Sequence, residues 1–247
     1  MIHLAAKAGV QPSLENPGEY LDNNVVGTFQ LLEWMKKNGV KKLIFGSSSS
    51  VYGNHLETPF REDMKVSNPI SPYAYTKATN ELMTFNYHHL YGIDSINLRF
   101  FTVIGPRQRP DLAIHKFFNM IQDSIPLTIY GDGSSARDYT YVDDIVGGII
   151  SSIELINSSS GLYEIINLGN SRPISLTEMV DTVEKTAELP VLKKQLPSQP
   201  GDVDITYADI SKAKNLLGYD PKTPFETGVK NFYQWFREIS SSEIASQ

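Results

Sequence analysis

The chain has 247 residues, 40% of them hydrophobic and 20% charged, enough to bury a sizeable core in one large domain or two small ones. Its net charge of -6 argues against nucleic-acid or membrane-surface binding, and no apolar run approaches the ~20 residues a bilayer span needs. The absence of cysteine excludes disulfides, thiolate catalysis and thiolate-bound metal; the five histidines are scattered, so no metal site is expected.

Residues 2–6 ("IHLAA") read as a short buried strand running into a small-residue turn, with no secretory pattern around it, so a cytoplasmic address is expected. A helix is predicted over 21–38 ("LDNNVVGTFQLLEWMKKN"), stopped by Gly39. "KKLIFGS" (41–47) reads as a strand, and a loop with Gly53, Pro59 and Pro69 follows. The next helix, 73–91, ends at Gly92, and "SINLRFF" (95–101) is another strand. This βαβαβ order, with strands apolar on both faces, predicts an α/β fold with a doubly wound parallel sheet. Beyond Gly105 and Pro106 the pattern loosens. Helices are expected near 111–123, 143–156, 175–187, 209–217 and 225–238, with strands at "LTIYG" (127–131) and "YEIINLG" (163–169) and a frayed tail.

The stretch "SPYAYTKATNE" (71–81) carries the chemistry. Tyr73 and Lys77 are four apart and so share a helix face, with Pro72 in the first turn. Alone, such a pair could be an aromatic and a lysine on a solvated helix. Ser48, however, directly follows the strand that ends at the ligand edge of the sheet, and "RFFTVIGP" ends the next strand at the same edge.

In order along the chain, "HLAAKAG", "FGSSSSVYG", "SPYAYTK", "LRFFTVIGPRQRP", "GDGSSARDYTYVDDI" and "QPGDV" resemble the nucleotide-sugar epimerases of the extended short-chain dehydrogenase/reductase superfamily. The resemblance implies a Rossmann NAD-binding domain over residues 1–105, with a returning segment near 138–170. It also implies a smaller α/β lobe over 106–247 that holds a UDP-sugar. It makes "HLAA" the fourth strand of the sheet, so the chain is expected to be an N-terminally truncated one, lacking the G-x-x-G-x-x-G turn that binds pyrophosphate.

By the same resemblance Ser48, Tyr73 and Lys77 are catalytic, and Leu4, Ala5, Ala6, Asn23, Lys77 and Phe101 line the cofactor. Helix capping is the plainer role for Asn23. Free tyrosine has a pKa of about 10, and the Lys77 ammonium with a positive nicotinamide is expected to lower it, so that Tyr73 takes the proton of a sugar 4-hydroxyl. Dehydratases of the superfamily carry Asp-Glu just after the serine and UDP-glucuronate decarboxylases a Glu nearby; here Ser49 and Ser50 stand instead, which points to epimerisation.

Thr102 and the "RQRPDLA" run resemble UDP-glucuronate 4-epimerases more than UDP-galactose 4-epimerases, which implies an acidic sugar. Ser49, Ser50, Thr102 and Arg109 would hold a glucuronate carboxylate, Arg109 through its planar fork, though surface charge is its simpler role. Arg137 would pair the UDP phosphates or else bridge to Asp138 or Asp143. Tyr130 would pack on uridine or be simple core, and Asp202 would meet the uridine ribose. Lys7, Gln11, Pro12 and Ile104 depart from the glucuronate pattern. Open alternatives are a neutral UDP-glucose or UDP-N-acetylglucosamine epimerase, and a non-catalytic UDP-sugar-binding module. The 21–38 and 73–91 helices form the dimer contact in relatives, so a homodimer is expected when the protein is full length.

Overall fold

The computed structural model describes residues 1–189, 191–197 and 205–244. In chain order these form β1 (Ile2–His3), α1 (Val10–Glu15), α2 (Pro17–Tyr20), a turn of π-helix (Leu21–Val26), α3 (Gly27–Lys37), β2 (Lys42–Ser48), α4 (Pro72–Tyr91) and β3 (Asp94–Phe100). There follow β4 (Thr102–Ile104), α5 (Ala113–Gln122), β5 (Leu127–Tyr130), β6 (Ala136–Tyr141), α6 (Val142–Ser158) and β7 (Tyr163–Leu168). The chain continues through β8 (Pro173–Ser175), α7 (Leu176–Ala187), β9 (Lys193–Leu196), β10 (Ile205–Thr206), α8 (Ser211–Leu217) and α9 (Phe225–Ile244).

The first sheet is parallel throughout, in the order β1-β2-β3-β7. Alternation along β2 explains its two-sided burial. Leu43 and Phe45 pack with Leu32, Met35 and Tyr87 on the α3–α4 side, while Ile44 joins Ile96, Leu98, Ile166 and Leu168 in the main core. A second core gathers Phe117, Phe118, Tyr139, Met179, Val183, Phe225, Phe232 and Phe236 around β6, α5, α7 and α9. There β6 pairs in parallel with β4 and β10 and antiparallel with β8. Among the described residues no helix is long and apolar enough to cross a membrane.

Three expectations change. Only Ile2 and His3 pair with β2, and Leu4–Ala6 run on as an exposed irregular segment. The single helix expected over 21–38 begins instead as a π-helical turn, preceded by two short helices. In that turn neither Asp22 nor Asn23 acts as a cap: the Asn23 side chain donates to the Glu19 carbonyl 2.8 Å away, and Asn24 is the buried one. Finally, β4, β6, β8, β9 and β10 are strands that the reading of the sequence leaves as loop.

Candidate active site

Helix α4 starts where expected. The Ser71 hydroxyl accepts the Ala74 N–H at 3.1 Å, Pro72 occupies the first turn, and left-handed Gly92 closes the helix. That start aims Tyr73 at the carboxyl end of β2. There Ser48 hydrogen-bonds the Tyr73 side chain, while its Oγ also accepts the Ser50 N–H at 3.2 Å. One turn on, buried Lys77 donates to the Gly46 carbonyl at 2.7 Å and lies over the Phe45 ring. Its Nζ is 6.0 Å from the centre of the Tyr73 ring.

Burial raises the pKa of the Tyr73 phenol, against the lowering pull of its hydrogen bond with Ser48 and of the Arg109 charge. Burial likewise brings Lys77 down to about 8, with the Glu81 carboxylate opposing. Within the chain the Lys77 ammonium turns to Gly46, and the Arg109 guanidinium is a positive charge that lowers the pKa of the phenol.

A cavity of about 480 Å³ opens beside the Tyr73 side chain, lined by Ser48, Ser49, Ser50, Phe101, Thr102 and Arg109. Phe101 is also core, stacked into the Tyr52–Phe60 pair. Arg109 reaches this cavity from the loop after β4, its fork closed on Asp111 at 2.9 and 2.7 Å. Asp111 also lines a second cavity of about 270 Å³, where Tyr130 and Arg137 meet beside Lys116. Tyr130 is thus at a cavity rim rather than in the core. The suggested bridge from Arg137 to Asp138 is excluded by geometry: the Asp138 carboxylate is wholly buried and accepts the N–H groups of Asn170, Ser171 and Ala208. Leu4, Ala5, Ala6 and Asn23 are exposed and line neither cavity, and Asp202 lies outside the described residues.

Two contributors escape the reading of the sequence. Tyr20 packs edge-on against Tyr73 with ring centres 6.2 Å apart, held by donation of its hydroxyl to the Ala8 carbonyl. Gly9, at φ 115, lines the same cavity, and a Cβ there would sit 3.5 Å from an Arg109 nitrogen. Only the small-residue run before Val10 hints at either.

A serine, a tyrosine and a lysine gathered by the strand and helix of one parallel sheet define an extended short-chain dehydrogenase/reductase. The chain belongs to the family described as GDP-mannose 4,6 dehydratase, which matches residues 1–232, and within it to the epimerases. A UDP-glucuronate 4-epimerase of Thermodesulfobacterium geofontis (strain OPF15) is 47% identical over 239 residues, 96% of this chain and 72% of that protein. The crystal structure of the UDP-glucuronic acid 4-epimerase of Bacillus cereus, in complex with UDP-glucuronic acid and NAD, matches with a TM-score of 0.90. Its identity is 37%, covering 96% of this chain and 76% of that one. A UDP-glucose 4-epimerase of Thermotoga maritima, solved with UDP-glucose, also reaches 0.90, at 31% identity over 97% of this chain and 77% of that one.

Proposed function

We propose that this protein catalyses the NAD-dependent 4-epimerisation of UDP-glucuronate to UDP-galacturonate. The observation that carries the reading is a single cavity shared by Tyr73, Ser48 and Arg109. An ammonium has three N–H donors, and Lys77 uses one on Gly46; the other two suit the hydroxyl oxygens of a cofactor ribose. In this reading residues 1–105 with the returning segment 138–170 carry the cofactor half, Leu4–Ala6, Asn23 and Phe101 included, and residues 106–247 carry the UDP-sugar.

NAD held there would supply a reversible hydride acceptor for C4, and inversion would follow from the 4-keto sugar turning over so that the hydride returns to its other face. Tyr73 removes the proton of the sugar 4-hydroxyl and later returns it, while Ser48 hydrogen-bonds the same oxygen. Ser49 and Ser50 have no carboxyl group with which to expel a hydroxyl, which supports epimerisation over dehydration. Thr102, Ser49, Ser50 and Arg109 receive the sugar carboxylate, and Arg137 and Tyr130 receive the nucleotide in the second cavity. A homodimer is supported by exposed Phe29, Leu82, Phe85 and Leu90 on α3 and α4.

The Arg109–Asp111 fork favours a second reading, because a neutralised guanidinium suits a neutral UDP-sugar. Incubating the protein and NAD with UDP-glucuronate or UDP-glucose, and separating products by chromatography, decides between them. UDP-galacturonate as the dominant product supports the first reading; equal or faster turnover of UDP-glucose overturns it.

A further inference from the structure

Glu81 stands one helical turn beyond Lys77 and two beyond Tyr73, so the three share a face of α4. Lys77 and Glu81 are equally buried, at 4% exposure each. The Glu81 carboxylate accepts the Ser47 hydroxyl at 2.5 Å and two N–H groups of Arg99 at 2.9 and 2.7 Å, and its backbone carbonyl accepts the Tyr163 hydroxyl. Ser47 directly follows Gly46, whose carbonyl holds Lys77. Two consecutive residues of β2 therefore seat both members of an i, i+4 pair of opposite charge. Glu81 lines neither cavity.

We propose that Glu81 is a positioning residue that holds Lys77 in its cationic form, and so sets the pH range over which Tyr73 serves as base, with Arg99 fixing the carboxylate in place. The charged and titratable groups around Lys77 are few. Tyr73 and Glu81 face it from α4, His3 from β1, and Arg99 from β3 behind Glu81. His3 is pushed toward its neutral form by burial and by Lys77 itself, so it supplies no anion. Glu81 is thus the one countercharge acting on the ammonium among the described residues, and it opposes the burial that draws Lys77 down to about 8. Stability alone does not account for the arrangement, since buried ion pairs are commonly replaceable by apolar side chains without loss.

The inference rests on the proposed reaction for its link to Tyr73, but the charge of Lys77 can be measured without turnover. In protein labelled with 13C at the lysine ε-carbon, the Lys77 resonance, assigned by its loss in Lys77→Arg, gives the midpoint of deprotonation. In Glu81→Gln that midpoint is expected to fall by about one pH unit, and the alkaline limb of kcat to move with it. Because Glu81→Gln strands Arg99 and could unfold the chain, a Glu81→Leu/Arg99→Leu double variant removes both charges; its midpoint is expected to fall in the same direction by less. An unchanged midpoint in a variant that melts cooperatively overturns the proposal, whatever the enzyme turns over. A lowered midpoint with an unmoved kcat profile overturns the link to Tyr73. A lowered midpoint in a protein that epimerises nothing leaves the Glu81 assignment standing and defeats the proposed reaction.

Discussion

Helix α4 and the loop between β4 and α5 approach the same cavity and are built in opposite ways. On α4, Tyr73, Lys77 and Glu81 are each tied to consecutive residues of β2, with Lys77 and Glu81 sealed in the core. The loop is bent at Gly105 and at Arg107, both with positive φ, and it offers Arg109 in a pair whose side chains remain about 40% exposed. An exposed ion pair of that kind contributes little and re-forms easily with another carboxylate. The contrast separates two tasks. In the proposed reaction, proton transfer requires a phenol held in one place, whereas choosing among sugars requires a charge that can exchange partners.

The contrast can be broken at several points. Tyr73→Phe removes the proposed base, and the rate of epimerisation is expected to drop by roughly 10²–10⁴-fold with an unchanged thermal melt; a loss below tenfold would move the proton to another group. Arg109→Ala should raise KM for UDP-glucuronate by roughly 10–100-fold while sparing UDP-glucose, the span expected for charged hydrogen bonds. An equal loss on both substrates removes Arg109 from carboxylate recognition. Gly105→Ala tests the loop itself. Its φ is +152° and its Cβ would meet Val142 Cγ1 at 2.6 Å, so destabilisation by about 1–3 kcal/mol in urea melts is expected. The smallest effect belongs to Lys7→Ala, where loss of an exposed pair with Glu19 should leave the melting temperature unchanged.

Acidity sharpens the comparison. Burial brings Lys77 from an ordinary 10.5 down to about 8, so in the proposed reaction kcat is expected to decline above pH about 8 as its charge is lost. Its effect on stability has the opposite sign. Between those two values the unfolded chain binds a proton that the native chain does not, so this group adds to folding stability as pH rises through the window. Urea melts of wild type and Lys77→Met across that range would show the difference.

The α4 half was largely legible in advance. Its strands are continuous apolar runs, its helix carries a cap, a proline and a terminal glycine, and Ser48, Tyr73 and Lys77 stand at spacings that only a strand–helix pairing brings together. The second lobe was much less so. Strand β6 reads "ARDYTY", polar enough to pass for a loop, and its buried Asp138 carboxylate is satisfied by backbone N–H groups that arrive from distant segments. Helices α1 and α2 were hidden by Pro12, Asn16, Pro17 and Gly18, which in a local reading signal turns. The fork between Arg109 and Asp111 was not foreseen, although the two are only two residues apart, because the reading assigned the guanidinium to a ligand.

The π-helical turn ahead of α3 has a consequence for how this region can change. A π-turn holds one residue more than an α-helical path of the same span. Within it, Asn24 meets the Lys7 backbone at both its N–H and its C=O, and bonds Thr76 on α4. Deleting one residue from it would therefore let the turn relax to ordinary α-helix over the same span, leaving α2 and α3 in their present register. The segment can thus lose a residue without uncoupling β1 from α4, as long as Asn24 keeps its bonds to Lys7 and Thr76.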